Sequence, residues 1–115
     1  MYKSQSKKGK IMSEAKAVFE AMLGRFDADE ADDMEAVFQF DLEDDSSYHL
    51  VIDDGQCNMG EGEHDDPTVT LEMDLQILKE VLSGELDGMA AFMQGKIRAD
   101  GDIMLATKLT QIFPK

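Results

Sequence analysis

The chain has one cysteine, no tryptophan, two prolines and only eleven Lys and Arg. Each scarcity excludes something. A lone Cys57 permits no intrachain disulfide, so a core must hold the fold, and a reducing compartment is expected. No apolar run approaches the ~18 residues of a membrane-spanning helix. No secretory-type apolar segment stands near the first residue. The bases face 25 Asp and Glu, for a net charge of −14. Such a surface repels nucleic acid and anionic bilayers. We therefore expect no nucleic-acid partner and at most transient membrane contact. The same acidity would also follow from a salt-adapted source. What is present is apolar material: 43% of 115 residues. One domain of this length buries roughly two-thirds of its unfolded surface. A cytoplasmic monomer is the expectation.

The first residues differ from the rest. Met1–Ile11 carries Lys3, Lys7, Lys8 and Lys10 and no acid, and Met12 follows. Residues 1–12 read as a flexible basic tail, native or appended, and residues 13–115 as the domain. A membrane-touching arm is the weaker reading, because four lysines without an apolar face gain only about 1 kcal/mol each near an anionic surface. Without those four charges the remainder carries −18.

Periodicity then orders the elements. Ser13 is a candidate N-cap. Ala15, Val18, Phe19, Met22, Leu23 and Phe26 form one helical stripe. The acidic connector 27–35 lacks the glycine and terminal Glu of a calcium loop. Ala36, Phe38, Phe40 and Leu42 alternate with polar or smaller residues as a half-buried strand. Tyr48, Leu50 and Ile52 mark a second strand, and Asp54-Gly55 a hairpin turn. Residues 56–63 read as a third strand, weakened by Gly60 and Gly62, which suggest an edge or a bulge. A fourth strand opens at Pro67, with Val69, Leu71 and Met73 inward. Asp74 caps a helix with Leu75, Leu78, Val81 and Leu82 inward and Gly84 near its end. A short helix holds Met89, Ala90, Phe92 and Met93 and stops at Gly95. Residues 96–100 form a fifth strand with Ile97 and Ala99 inward. Asp102 caps a last helix, 103–113, that Pro114 ends. The fold class is α+β, a mostly antiparallel five-stranded sheet with helices on one face.

Several stretches resemble the sterol carrier protein type 2 family. They are Leu82-Ser-Gly-Glu-Leu86, Ala91-Phe-Met-Gln-Gly-Lys-Ile97 and Gly101-Asp-Ile-Met-Leu-Ala-Thr-Lys-Leu109. Val37-Phe-Gln-Phe-Asp-Leu42 and Val69-Thr-Leu-Glu-Met73 also fit. The likeness covers about residues 14–113. It implies an apolar tunnel between sheet and helices, and binding of fatty acids, fatty acyl-CoA, phospholipids, or sterol- or isoprenoid-like molecules. The chain carries no fused enzyme and ends without a Ser-Lys-Leu signal, so a stand-alone prokaryotic-type member is expected.

A tunnel needs walls that adapt, which flexible methionine supplies. The expected ligand-binding residues are Met22, Phe26, Phe38, Phe40, Leu71, Met73, Leu78 and Leu82 from the inward stripes. Phe92, Met93, Ile97, Met104, Leu105, Leu109, Ile112 and Phe113 join them around a mouth between helices 88–94 and 103–113. Ordinary core filling is the alternative role for all of them. Gln94 and Thr110 are candidates to orient a head group, or plain surface. Lys96, Arg98 and Lys108 form a basic cluster that either meets a carboxylate or phosphate or pairs with Asp100 and Asp102. About 0.8 kcal/mol per buried methylene lets a tail of roughly ten methylenes bind at micromolar level without a hydrogen-bond code.

Enzymatic signals are poor. Cys57 with His49 or His64 is the one imaginable nucleophile pair, yet a strand cysteine behaves as a small hydrophobe. The stretch 61–66 reads as a solvated acidic turn rather than a metal site. No phosphate-binding glycine loop is present. We expect no catalytic residues, no metal and no cofactor. The leading reading is a non-enzymatic lipid carrier that serves a membrane or a lipid-metabolising enzyme. The competing one is an accessory interaction module for lipid- or quinone-modifying enzymes that carries no ligand itself.

Overall fold

A computed structural model describes residues 8–43 and 46–114, with side chains from residue 14. The order is α1 (Lys8–Gly24), β1 (Ala36–Leu42), β2 (Ser47–Asp53), β3 (Gln56–Glu61), β4 (Val69–Met73), α2 (Leu75–Ser83), α3 (Gly88–Met93), β5 (Arg98–Gly101), α4 (Ile103–Ala106) and α5 (Leu109–Ile112). Thus α1 begins at Lys8, before the Ser13 cap and inside the predicted tail. Lys10, Ile11 and Met12 carry no helix-breaking chemistry that would stop it there. The rest of the predicted tail, residues 1–7, lies outside the described residues.

The strands lie in the order β3-β2-β1-β4-β5. The sheet is mixed, where a mostly antiparallel one was expected: β1 and β4 run parallel, with Phe38 opposite Val69. The reason is topological. β1 and β3 both run antiparallel to β2, so β3 ends where β1 ends. Residues 62–68 then carry the chain back across the sheet, and β4 starts beside the start of β1 and runs parallel to it. Alternation along single strands carries no trace of that choice.

One face of the sheet is apolar. Phe38, Phe40, Leu50, Ile52, Val69 and Met73 are each at most 1% exposed there. They meet Ala15, Phe19 and Met22 of α1, all fully buried. The Phe19 ring stacks on Tyr48 at 4.7 Å and meets Phe40 edge-on at 5.2 Å. On the other half, α2 buries Leu75, Leu78, Val81 and Leu82. Three aspartates start the helices of this half, accepting from the amide three residues on: Asp74 from Ile77 at 2.8 Å, Asp87 from Ala90 at 3.3 Å and Asp102 from Leu105 at 3.1 Å. Each such cap stabilises its helix by roughly 1 kcal/mol.

The predicted closing helix is two helices. The Thr107 hydroxyl donates to the Met104 carbonyl at 2.7 Å, and such back-bonding competes with the helical ladder. The ladder breaks there, and α5 restarts at Leu109.

The opposite face of the sheet is polar and, among the described residues, carries one buried polar side chain, Gln39, at 2% exposure. Its amide nitrogen donates to Asp41 Oδ1, the Tyr48 carbonyl and the Gly62 carbonyl, and its Oε1 accepts from the His64 amide at 2.8 Å. Gln39 thus pins the 62–68 connection across this face. We expect Gln39→Ala to cost about 1–3 kcal/mol by stranding those groups. Urea titration checks this. Wild-type stability would mean that water replaces the side chain.

Candidate functional site

The site is a gap in the packing over β4 and β5. Leu71 and Met73 from β4, with Ile97 just before β5 and Ala99 within it, form its floor. Leu78 and Val81 from α2 close one side; Asp87, Gly88, Met89 and Phe92 around α3 close another. Ile103, Ala106, Thr107, Leu109 and Thr110 complete the wall. The pocket measures about 210 Å³. Its solvent-reached large apolar members are Met89, Phe92 and Ile103, at 49%, 40% and 39% exposure, so its mouth lies between α3 and α4.

The gap exists because small residues line it. Gly88, Ala99 and Ala106 leave room that Leu or Phe would fill. Its polar members are Asp87, Thr107 and Thr110, and Asp87 is the one ionisable lining side chain.

Of the residues expected to bind ligand, Leu71, Met73, Leu78, Phe92, Ile97, Leu109 and Thr110 lie in this lining. Others fill the core. Met22, Phe38, Phe40, Ile112 and Phe113 are at most 1% exposed and Leu82 and Leu105 are buried. None of these seven lines the pocket. Phe26 packs on Phe113, ring centroids 5.8 Å apart. Met93 and Met104 are 79% and 72% exposed, and Gln94 is exposed too; all three lie outside the lining. Helices of six and four residues are too short for a stripe to fix which side faces in. The pocket members not among the expected ligand-binding residues are Val81 and Ala99, which periodicity did turn inward, Met89, and Asp87, Gly88, Ile103, Ala106 and Thr107. Small and polar among large apolar neighbours, most of them carry no hydropathy signal for a void.

The basic cluster does not form as expected. Strand alternation turns Arg98 to the polar face, where it bonds Glu72 at 3.0 Å and Glu43 at 3.5 Å rather than Asp100 or Asp102. Lys96 and Lys108 are exposed and make no ion pair among the described residues.

The imagined Cys–His pair is split by the sheet. Cys57 lies opposite Ile52, on the helix-covered face, whereas His49 lies opposite Gly60 on the polar face. Burial pushes the Cys57 thiol up to about 11, so at neutral pH it is protonated and a poor nucleophile. His49 and His64 serve the 62–68 connection instead. His49 Nδ1 donates to the Gly62 carbonyl at 3.0 Å, and His64 Nδ1 accepts from the Asp66 amide at 3.0 Å. Among the described residues no helix is long and apolar enough to cross a membrane.

Known proteins resemble this chain in sequence or in fold. The bovine (Bos taurus) hydroxysteroid dehydrogenase-like protein 2 is 35% identical over 82 residues, covering 69% of this chain and 20% of that protein. Stomatin-like protein 1 of Mus musculus is 36% identical over 69 residues, covering 59% and 17%. The chain thus spans a fifth or less of the length of these relatives. The inverting sec-alkylsulfatase Pisa1 of Pseudomonas sp. superposes with TM-score 0.79 at 21% identity, over 85% of this chain and 16% of that one. Sterol carrier protein 2 of Yarrowia lipolytica gives 0.66 at 17%, over 85% and 91%. The UbiJ-SCP2 ubiquinone synthesis protein gives 0.66 at 16%, over 95% and 93%. Residues 19–114 match the SCP-2 sterol transfer family, and with this fold and this pocket the chain belongs to that family of lipid-binding and lipid-transfer domains.

Proposed function

We propose that the protein is a non-enzymatic lipid carrier that takes an acyl or isoprenoid chain into the α2–α5 pocket. The observation that carries the reading is an apolar pocket whose mouth is rimmed by water-exposed Met89, Phe92 and Ile103. A monomeric domain leaves such side chains in water together where something is to cover them. Fatty acids and fatty acyl-CoA are the ligand classes proposed, with sterol- or isoprenoid-like molecules beside them.

At about 210 Å³ the pocket is below the ~300–1,000 Å³ usual for small-molecule sites. A long chain therefore enters by displacing a wall. A weak wall is α3, which buries only the small Ala91. Segments with few buried contacts open at low free-energy cost. Movement of the 84–95 segment is thus the proposed uptake step, and the tunnel expected of this family would be complete only with a lipid inside.

Asp87 bears on the head group. A carboxylate placed beside it meets a like charge, at roughly 1 kcal/mol for 4 Å in water. Asp87→Asn keeps the helix cap, since Asn caps as well as Asp. We expect it to tighten fatty-acid binding by about fivefold, read by isothermal titration, and to leave the matching fatty alcohol unchanged. Equal effects on both would remove Asp87 from the head-group site.

Titration with a fluorescent acyl-chain probe, followed by competition with unlabelled fatty acid and acyl-CoA, tests the carrier reading. Saturable one-to-one binding supports it. The second reading, an accessory module for lipid- or quinone-modifying enzymes, draws on the likeness to the UbiJ-SCP2 ubiquinone synthesis protein. It expects no probe to bind.

A further inference from the structure

We infer that the α3–α4 rim is a docking surface for a lipid bilayer, with Met93 and Met104 as its inserting side chains and Lys96 and Lys108 at the head-group level; this rests on the carrier reading.

The exposed large apolar side chains among the described residues, Met89, Phe92, Met93, Ile103 and Met104, all lie on α3 and α4. Met89, Phe92 and Ile103 line the pocket. Met93 and Met104 do not. They are also the most exposed of the five, at 79% and 72%, so neither core nor pocket accounts for them. Their chemistry suits an acyl boundary, because methionine is flexible and adapts to irregular apolar surroundings.

Charge points the same way. In a chain with 25 acids, residues 88–99 and 103–114 contain none. The charges they carry are Lys96, Arg98 and Lys108. Arg98 is held on the polar face by Glu72 and Glu43. Lys96 and Lys108 are exposed, each a few residues along the chain from an exposed methionine, Met93 and Met104. Of the acids that bound the two stretches, Asp87 and Asp102 are engaged as helix caps, and Asp100 falls with Arg98 on the polar face. Apart from Asp87, the acidity thus stops where the pocket opens. Lysines in that position place their stems along apolar surface and their ammonium groups among phosphates. Repulsion from the rest of the molecule is screened beyond about 8 Å at physiological salt, so contacts at the rim decide. The rim is continuous with the pocket mouth, and a lipid leaving there reaches the bilayer without crossing water.

The test is flotation of the full chain with phosphatidylcholine vesicles, with and without phosphatidylglycerol. Wild type is expected to float, more strongly with phosphatidylglycerol. The double variant Met93→Asp/Met104→Asp is expected to lose about tenfold or more in vesicle partitioning, while its solution affinity for a fluorescent acyl probe and its melting temperature stay at wild-type values. Lys96→Gln/Lys108→Gln is expected to lose only the phosphatidylglycerol increment. Equal flotation of wild type and the methionine double variant overturns the docking surface. So does a wild type that binds the probe but stays off both vesicles, as a protein-docking rim would, and the carrier reading then stands. A wild type that binds no probe overturns the carrier reading and the docking surface with it.

Discussion

Phe92→Asp is expected to lower acyl-chain affinity by tenfold or more and to leave the fold intact. Phe92 lines the pocket from α3 and is 40% exposed at its mouth. A bound chain covers the part of the ring that water now reaches. Full burial of such a side chain is worth about 1.5–3 kcal/mol, and each 1.4 kcal/mol is about tenfold in affinity. Aspartate removes that gain and adds a charge that an incoming chain would have to desolvate. The cost to the free protein is small, because much of the ring already stands in water and the Asp87 cap is untouched. Probe titration beside circular dichroism reads both quantities. Wild-type affinity in this variant would contradict the placement of the lipid.

The largest stability effect is expected at Gly101. Its φ is 102°, a region that side chains rarely adopt. A Cβ there would sit 2.5 Å from the Thr68 carbonyl oxygen and 3.2 Å from Val69 Cα. Neither obstacle is a loose side-chain end. Thr68 donates its amide to the Val37 carbonyl, accepts the Val37 amide on Oγ1, and accepts Asp102 N–H at 3.0 Å on its carbonyl. An added methyl therefore pushes on the corner that joins β1, β4 and α4. Backbone strain of about 1–3 kcal/mol plus the clash brings Gly101→Ala to on the order of 3–5 kcal/mol, at the top of the range for single substitutions. Against a total stability of about 5–15 kcal/mol that is a large share. Denaturant midpoints measure it. A loss below about 1 kcal/mol would mean that the β4–β5 corner yields freely.

Strand alternation and helix caps were legible in the sequence because each is a local rule. Phe38, Phe40, Leu50, Ile52, Val69 and Met73 face the core as a period of two dictates. Asp74 and Asp102 cap the helices they precede. Asp54 and Gly55 both take positive φ, 54° and 74°, as a type I′ hairpin turn requires. What was not legible depends on other parts of the chain. Gln39 sits in an outward register, and only the connection folded over it makes it buried. The parallel β1–β4 pair follows from where the chain returns.

The pocket was half legible for a related reason. Apolar residues announce themselves in a sequence, but a void is made by what is missing. Phe38, Phe40 and Phe113 are bulky enough to fill their surroundings, so they became core. Gly88, Ala99 and Ala106 are small enough to leave a space, and nothing in their own composition says so. Met93 and Met104 look inward on a helical wheel, yet solvent surrounds them.

Methionine methyl NMR during a fatty-acid titration tests the central claim, that the apolar chain lies over β4 beneath α3. Met73 and Met89 line the pocket, whereas Met59 lies on β3 at the far edge of the sheet. The expected result is saturable shifts of the Met73 and Met89 methyls with Met59 unmoved. Saturable shifts at Met59 with Met73 and Met89 unchanged, or no saturable shift anywhere, would contradict it.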